Sequence, residues 1–247
     1  MLRRAKGRGL SMRVAVLQSN YIPWKGYFDI IHDVDTFVFY DDVQYTTNDW
    51  RNRNRIKTAQ GVQWLTIPVG KHMHRLTCDV ELPIDELWAH DHWRKIEVAY
   101  ARAPFFANYR DYLRSLLLDR AWTNLSSLNQ TMTIRIARDL LGISTRFDSS
   151  VSYNLQGVKS ERLLNLLKQV GAREYVSGPA ARNYLDEQAF QDAGIEVIWK
   201  DYSGYPQYVQ LHGDFHHDVT VLDLLFHTGP DAAWHIWGWR NRHEAAA

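Results

Sequence analysis

The sequence predicts an α/β fold: a mainly parallel sheet with flanking helices and an inserted or appended helical lobe. Three observations carry this. Val14–Leu17, Thr36–Tyr40 and Ile195–Lys200 are short runs, apolar on successive positions, the pattern of strands buried on both faces. Between such runs stand stretches with apolar residues at helical spacing, so strands and helices alternate at both ends of the chain. The middle, Asp85 through Gly142, carries helical stripes only. The expected division is a flexible tail at 1–12, an α/β core at 13–83 and 143–228, a helical lobe at 84–142 and a C-terminal tail at 229–247.

Val14–Leu17 stops at Gln18, and a loop of amides and rings follows: Gln18, Asn20, Tyr21, Pro23, Trp24. Tyr27, Ile30 and Ile31 then share a helix face that ends near Asp33. Thr36–Tyr40 completes a βαβ unit, for which a right-handed crossover is expected. From Trp50, Arg51, Arg53, Arg55 and Lys57 alternate with Asn52, Asn54 and Ile56. In an extended chain this sends the cations to one face and the amides inward. An Ala-Gln-Gly turn at 59–61 makes a hairpin of about Arg53 to Val69. In the lobe, Trp93, Ile96 and Tyr100 form one stripe, and Pro104 breaks the helix. Tyr109, Tyr112, Leu113 and Leu116 form a second. Leu125, Leu128, Met132, Ile136 and Leu140 form a third, with Asn124 as N-cap and Gly142 past the end. Three amphipathic helices can bury a small core of their own. The α/β pattern resumes with a helix capped by Ser160 and closed by Gly171, a strand Glu174–Ser177, and a helix Leu185–Ala193. The tail holds Trp234, Trp237, Trp239, Arg240 and Arg242.

A chain of 247 residues with 45% hydrophobic and 23% charged content is globular, not disordered. A net charge of +1 offers no overall field for a nucleic acid. The lone Cys78 excludes an internal disulfide and suits a reducing compartment, no run of eighteen apolar residues spans a membrane, and no signal-peptide pattern follows the basic N-terminus; a cytoplasmic protein is expected.

LQSNYIPWKGYF, DDVQY and WRNRNRI resemble the WbqC-like family, a bacterial family named from a gene in an O-antigen cluster. The resemblance continues through WLTIPV, KSERLLNLL with GAREYVSGPAARNYLD, and GIEVIWKDY with LDLLF, and so covers nearly all of the chain after Met12. It implies a place in surface-polysaccharide or other glycoconjugate biosynthesis, with acyl or aminoacyl transfer to an amino sugar as one role. Two departures stand out: relatives read Gln-Pro where this chain has Gln18-Ser19, and often carry lysine where it has Thr47.

In an open α/β sheet, ligands bind beyond the carboxyl ends of the strands. Gln18, Asn20, Tyr21 and Trp24 lie at one such end, as hydrogen-bonding groups and flat faces suited to a sugar or a base. Asp41 and Asp42 end the second strand, with Gln44 beyond; one carboxylate could serve as general base, Asp42 by preference because Gln44 shares its face. Arg51, Arg53 and Arg55, with Asn54 among them, form a cationic face for phosphate or carboxylate, or a charged edge that protects the sheet. Lys159 opens a helix and Ser177 ends a strand, so both join the expected ligand set. His212, Asp214, His216, His217 and Asp218 crowd together, but Gly213 argues against the helix that would align two histidines, and no metal is assigned. There is no P-loop and no dinucleotide fingerprint, so the cofactor is left unassigned. The expected function is a transferase using a small phosphate-containing donor; a non-catalytic nucleotide-sugar or anion-binding module and a nucleotidyl-transfer or adenylating enzyme are the alternatives.

Overall fold

The first strand, β1 (Arg13–Leu17), continues through the helix α1 (Lys25–His32) into β2 (Thr36–Phe39), which pairs with β1 in parallel, Val14 beside Thr36 and Leu17 beside Phe39. The structure, a computed structural model, describes residues 11–70 and 74–240. Most of the expected N-terminal tail, and Arg242, lie outside the described residues. A separate antiparallel hairpin follows, β3 (Arg53–Thr58) and β4 (Gly61–Thr66), with Arg55 opposite Trp64.

The helical segment is α2 (Leu87–Tyr100), α3 (Phe106–Leu118) and α4 (Leu125–Arg135), the last running on as a π-helical turn over Ile136–Leu140. Asn124 caps α4 by accepting from the Ser127 N–H. These helices do not enclose a core of their own. Trp93, Ile96, Leu113, Leu128 and Met132 belong to one hydrophobic cluster with Ala15, Phe28, Phe37 and Phe39 of the sheet unit.

The chain returns to the sheet through β5 (Arg146–Ser149), an edge strand that the polar sequence Arg-Phe-Asp-Ser did not predict. Then come α5 (Lys159–Val170), β6 (Glu174–Ser177), α6 (Glu187–Asp192) and β7 (Glu196–Trp199). Ser160 lies inside α5 and does not cap it; the N-cap position is Val158. Gly171 closes α5 at φ 82°, where only glycine is unstrained. The sheet is parallel throughout, in the order β5-β2-β1-β6-β7. Alternation sorts its two faces: Val14, Val16, Val38 and Tyr175 meet Leu166, Leu167 and Phe190, while Ala15, Phe37, Phe39 and Val176 join the larger cluster. Strand order reverses between β1 and β6, which makes their carboxyl ends the switch point of the fold.

Among the described residues, the stretch after Gly229 packs against the rest of the chain. α7 (Val221–Thr228) leads to α8 (Ala232–Ile236), whose Ala232 and Ile236 are buried. Arg240 then clamps the fully buried Asp29 of α1 with two bonds of 2.9 Å; Lys200 at 3.0 Å and Tyr205 at 2.5 Å complete that carboxylate. Among the described residues no helix is long and apolar enough to cross a membrane.

Candidate functional site

The loop after β1 is held from outside. Ile22 has a φ of 38°, the left-handed region that a β-branched residue disfavours. Asn54 of β3 offsets this strain: its Nδ2 donates to Tyr21 O at 3.0 Å and Ile22 O at 2.7 Å. Tyr21 N donates to Trp50 O at 2.9 Å, and Val221 N donates to Pro23 O at 2.9 Å. Hairpin, loop and the approach to α7 are thus one interlocked unit. Gly26 completes it, because a Cβ there would stand 2.2 Å from the Trp24 ring.

The hairpin alternates as its sequence predicts. Asn52, Asn54 and Ile56 are buried, while Arg51, Arg53 and Arg55 stay partly exposed on one face. Lys57 shares their parity but is covered: its ammonium donates to Gln210 Oε1 at 3.0 Å, to Gly213 O at 3.2 Å and to Asp214 O. Arg51 donates to Gln18 Oε1 and, at 3.2 Å, to Asn20 Oδ1, and stands 3.5 Å from Asp49. Arg55 pairs with Asp218. Arg53 has no carboxylate within 4 Å among the described residues; it donates to Asn48 O and lies 4.2 Å over the Trp64 ring. The Nε atoms of all three arginines are buried and have no hydrogen-bond partner among the described residues. Trp50 and Trp64, 38% and 41% exposed, stand 5.3 Å apart beside them.

A cavity of about 340 Å³ opens at this face. Pro23, Trp24 and Trp50 give it apolar walls, and Asn20, Asn54, Arg55 and Asp218 its polar groups. A smaller hollow of about 250 Å³, with Asp49, Arg53 and Trp64, shares Trp50 and Arg55 with it. Gln18, Asn20, Trp24, Arg51, Arg53, Asn54 and Arg55 are therefore one surface: polar donors, flat rings and one cation that lacks a counter-charge.

The other expected residues lie elsewhere. Tyr21 is not a ligand floor, because its ring is fully buried against Trp88 and its hydroxyl donates to His92 Nδ1 at 2.9 Å. Asp41, also fully buried, accepts from Ser19 N at 2.8 Å, from Gln130 at 2.8 Å and from Ser126. A proline at 19 would have no N–H for the first of these, so it is Ser19 that ties the loop to the carboxylate just after β2. Asp42 points to the opposite face, toward Arg162 at 2.6 Å and Ser150. Burial pushes its carboxyl up, but the bonds from Arg162 and Ser150 outweigh this and hold it below the usual carboxylate range. Gln44 is exposed in a bridge with Leu76. Lys159 is exposed at φ 49°, and no hydrogen bond or ion pair ties it to the loop among the described residues. Ser177 is buried at the end of β6, on the same side of the sheet as Gln18, and its carbonyl accepts from Lys200 N at 2.8 Å.

Trp50, Trp64 and Asp218 line this surface and were not among the expected ligands. Trp64 comes from β4, cross-strand from Arg55, and hairpin register alone could have found it. Asp218 reaches Arg55 from 163 positions away, and Lys25 meets His217 across 192; no local signal announces either.

The WbqC-like protein family model matches residues 18–235. The uncharacterized protein Rv1507c of Mycobacterium tuberculosis (strain ATCC 25618 / H37Rv) is 50% identical over 224 residues, 89% of this chain and 95% of that one. No solved structure matches. The family match begins at Gln18, the residue Arg51 grips, and runs past the Asp218 that holds Arg55, so every part of the surface falls inside it. The chain belongs to the WbqC-like protein family.

Proposed function

We propose that the protein is a transferase of glycoconjugate or surface-polysaccharide biosynthesis that takes an acyl, aminoacyl or sugar-derived group from a phosphate-containing donor. The observation that carries the reading is the arginine face: three guanidinium groups on alternate residues at and just before the start of β3, of which Asp49 and Asp218 match two and Arg53 has no carboxylate within 4 Å among the described residues. Donor phosphate belongs at the Arg53 guanidinium, beside the Trp50–Trp64 rings. The acceptor belongs in the adjoining cavity, against Trp24 and the amides of Asn20 and Asn54. A thermal-shift panel of nucleotides, nucleotide-sugars, acyl-CoAs and amino acids tests this. A ligand at a hundred times its Kd stabilises the fold by about 2.7 kcal/mol. Arg53→Gln is expected to weaken the bound compound by about 1.5–3 kcal/mol while leaving unfolding nearly unchanged. A panel without any phosphate-containing hit, or a variant that loses stability and keeps its affinity, refutes the reading.

One observation favours a second reading, a binding module without chemistry. Both carboxylates of the Asp41-Asp42 pair are engaged by neighbours, and a carboxyl held low by an arginine is a weak proton acceptor. Incubating any donor hit with amino-sugar acceptors separates the two: product formation excludes the module, and tight binding without turnover excludes the transferase.

A further inference from the structure

Lys25, Lys57 and Lys200 all have side chains withdrawn from water, and Lys25 lacks what the other two have. Lys57 has three oxygen acceptors, and Lys200 has Asp29 at 3.0 Å and Asp33 at 3.4 Å. Lys25 Nζ meets a single acceptor atom, His217 Nδ1 at 2.8 Å, and otherwise the rings of Tyr205, Phe215 and Tyr208 at 5.0, 5.4 and 5.6 Å. No carboxylate lies within 4 Å of it among the described residues. Ring faces attract an ammonium but do not replace its lost hydration, so the neutral amine competes. Burial brings its pKa down to about 8, against an upward pull from Asp223.

The contact with His217 ties imidazole tautomer to lysine charge. An ammonium donates to Nδ1 and leaves the ring proton on Nε2. An amine can accept from Nδ1–H, which leaves Nε2 with a free lone pair. His217 is exposed and adjoins Asp218, while Lys25 adjoins Trp24; Trp24 and Asp218 both line the cavity. The charged and titratable groups around the pair are Asp218 with its partner Arg55, Asp223 of α7, His235 of α8, and the Tyr205 and Tyr208 hydroxyls. Burial and the neighbouring Lys25 hold the His217 imidazole below its ordinary value, opposed by Asp218, so a shared proton rests on the lysine.

We propose that His217 and Lys25 form a proton-transfer pair serving this cavity, His217 Nε2 taking the proton of an acceptor hydroxyl or amine while its Nδ1 proton passes to Lys25. The proposal rests on the transferase reading of the site and supplies the base that Asp41 and Asp42 do not. The acceptor's O–H or N–H bond breaks as Nε2–H forms, and Nδ1–H breaks as a third Nζ–H forms. The imidazole ends neutral and the lysine cationic. The freed electron pair on the acceptor forms the bond to the transferred group as that group's bond to the donor's phosphate-bearing part breaks, and the phosphate-bearing part leaves with that electron pair as an anion beside Arg53. His217 is the catalytic residue; Lys25 is a positioning residue that stores the proton.

The test is ¹⁵N spectroscopy of the histidine side chains in the full chain from pH 6.5 to 9.5, with His217 assigned by the signals lost in His217→Asn. The expected result is a move of the ring proton from Nε2 to Nδ1 with a midpoint near pH 8, abolished in Lys25→Met. Lys25→Arg, which keeps the charge, holds the Nε2–H form throughout and covers the case in which the methionine variant does not fold. One tautomer across the whole range, or the same transition in either lysine variant, overturns the pair and makes Lys25 a structural cation stacked on rings. This readout needs no substrate, so its failure leaves donor binding at Arg53 untouched, and a failed donor panel leaves the tautomer result standing.

Discussion

Asn54→Ala would remove the two bonds that hold the loop after β1 in its strained form. Tyr21 O and Ile22 O would lose their side-chain donor, and the Arg55 N–H would lose the Asn54 Oδ1 that it reaches at 2.8 Å. At about 1 kcal/mol for each hydrogen bond, the gross loss is about 3 kcal/mol. Relaxation of Ile22 from its φ of 38° would return roughly 1 kcal/mol, since left-handed non-glycine residues store 1–3 kcal/mol. The expected net destabilisation is therefore about 2 kcal/mol, read as a lower urea midpoint with unchanged slope. Asn54→Asp sharpens the test. It would place a carboxylate oxygen against two carbonyls at about the 2.7 and 3.0 Å now spanned by Nδ2, so it should lose more than the alanine variant at pH 8 and recover part of the loss at pH 5, where the acid can protonate and donate. An alanine variant within 0.5 kcal/mol of the parent, or an aspartate variant with no pH dependence, would show that the loop holds its shape without Asn54.

The depressed pKa of Lys25 means that the unfolded chain binds more protons between about pH 8 and 10.5, so stability rises through that window and the whole penalty is present below it. Lys25→Met should accordingly stabilise the fold at pH 7 by up to about 3 kcal/mol, a gain that shrinks toward pH 10.5; equal effects at both pH values in urea titrations would contradict it. His92 is the acid counterpart. Buried, it donates to Thr66 O and accepts from Tyr21, and burial brings its pKa down to about 4, so stability should fall by about 3 kcal/mol as pH drops from 6.5 to 4, and His92→Gln should flatten that limb of the curve. Arg240→Gln leaves the buried Asp29 with Lys200 as its only cation and should lower stability by about 3 kcal/mol; a change in melting temperature under 2 °C would mean that the C-terminal clamp is dispensable.

What the sequence determined by itself is what depends on neighbours along the chain. Continuous apolar runs marked β1, β2 and β7, the alternation of Arg51 to Ile56 marked a strand with cations outward, and Asn124 marked a helix start, since periodicity and capping are set within a few residues. The motifs of the loop and hairpin were enough to place the chain in its family. β5 escaped, because Arg-Phe-Asp-Ser is a strand only through its pairing with β2. The tertiary structure alone decided which charges are used up. Asp41 and Asp42 look alike in sequence, yet opposite parity sends one to Ser19, Ser126 and Gln130 and the other to Arg162. Lys57 continues the arginine face in sequence and is lost to it because residues 210–214 fold over it. Lys25 stands at a helix start, and it is the segment carrying Tyr205 to His217 that covers it. Burial of a charge, and hence its proton affinity, is fixed by what covers it, and the covering groups here come from nearly two hundred residues away.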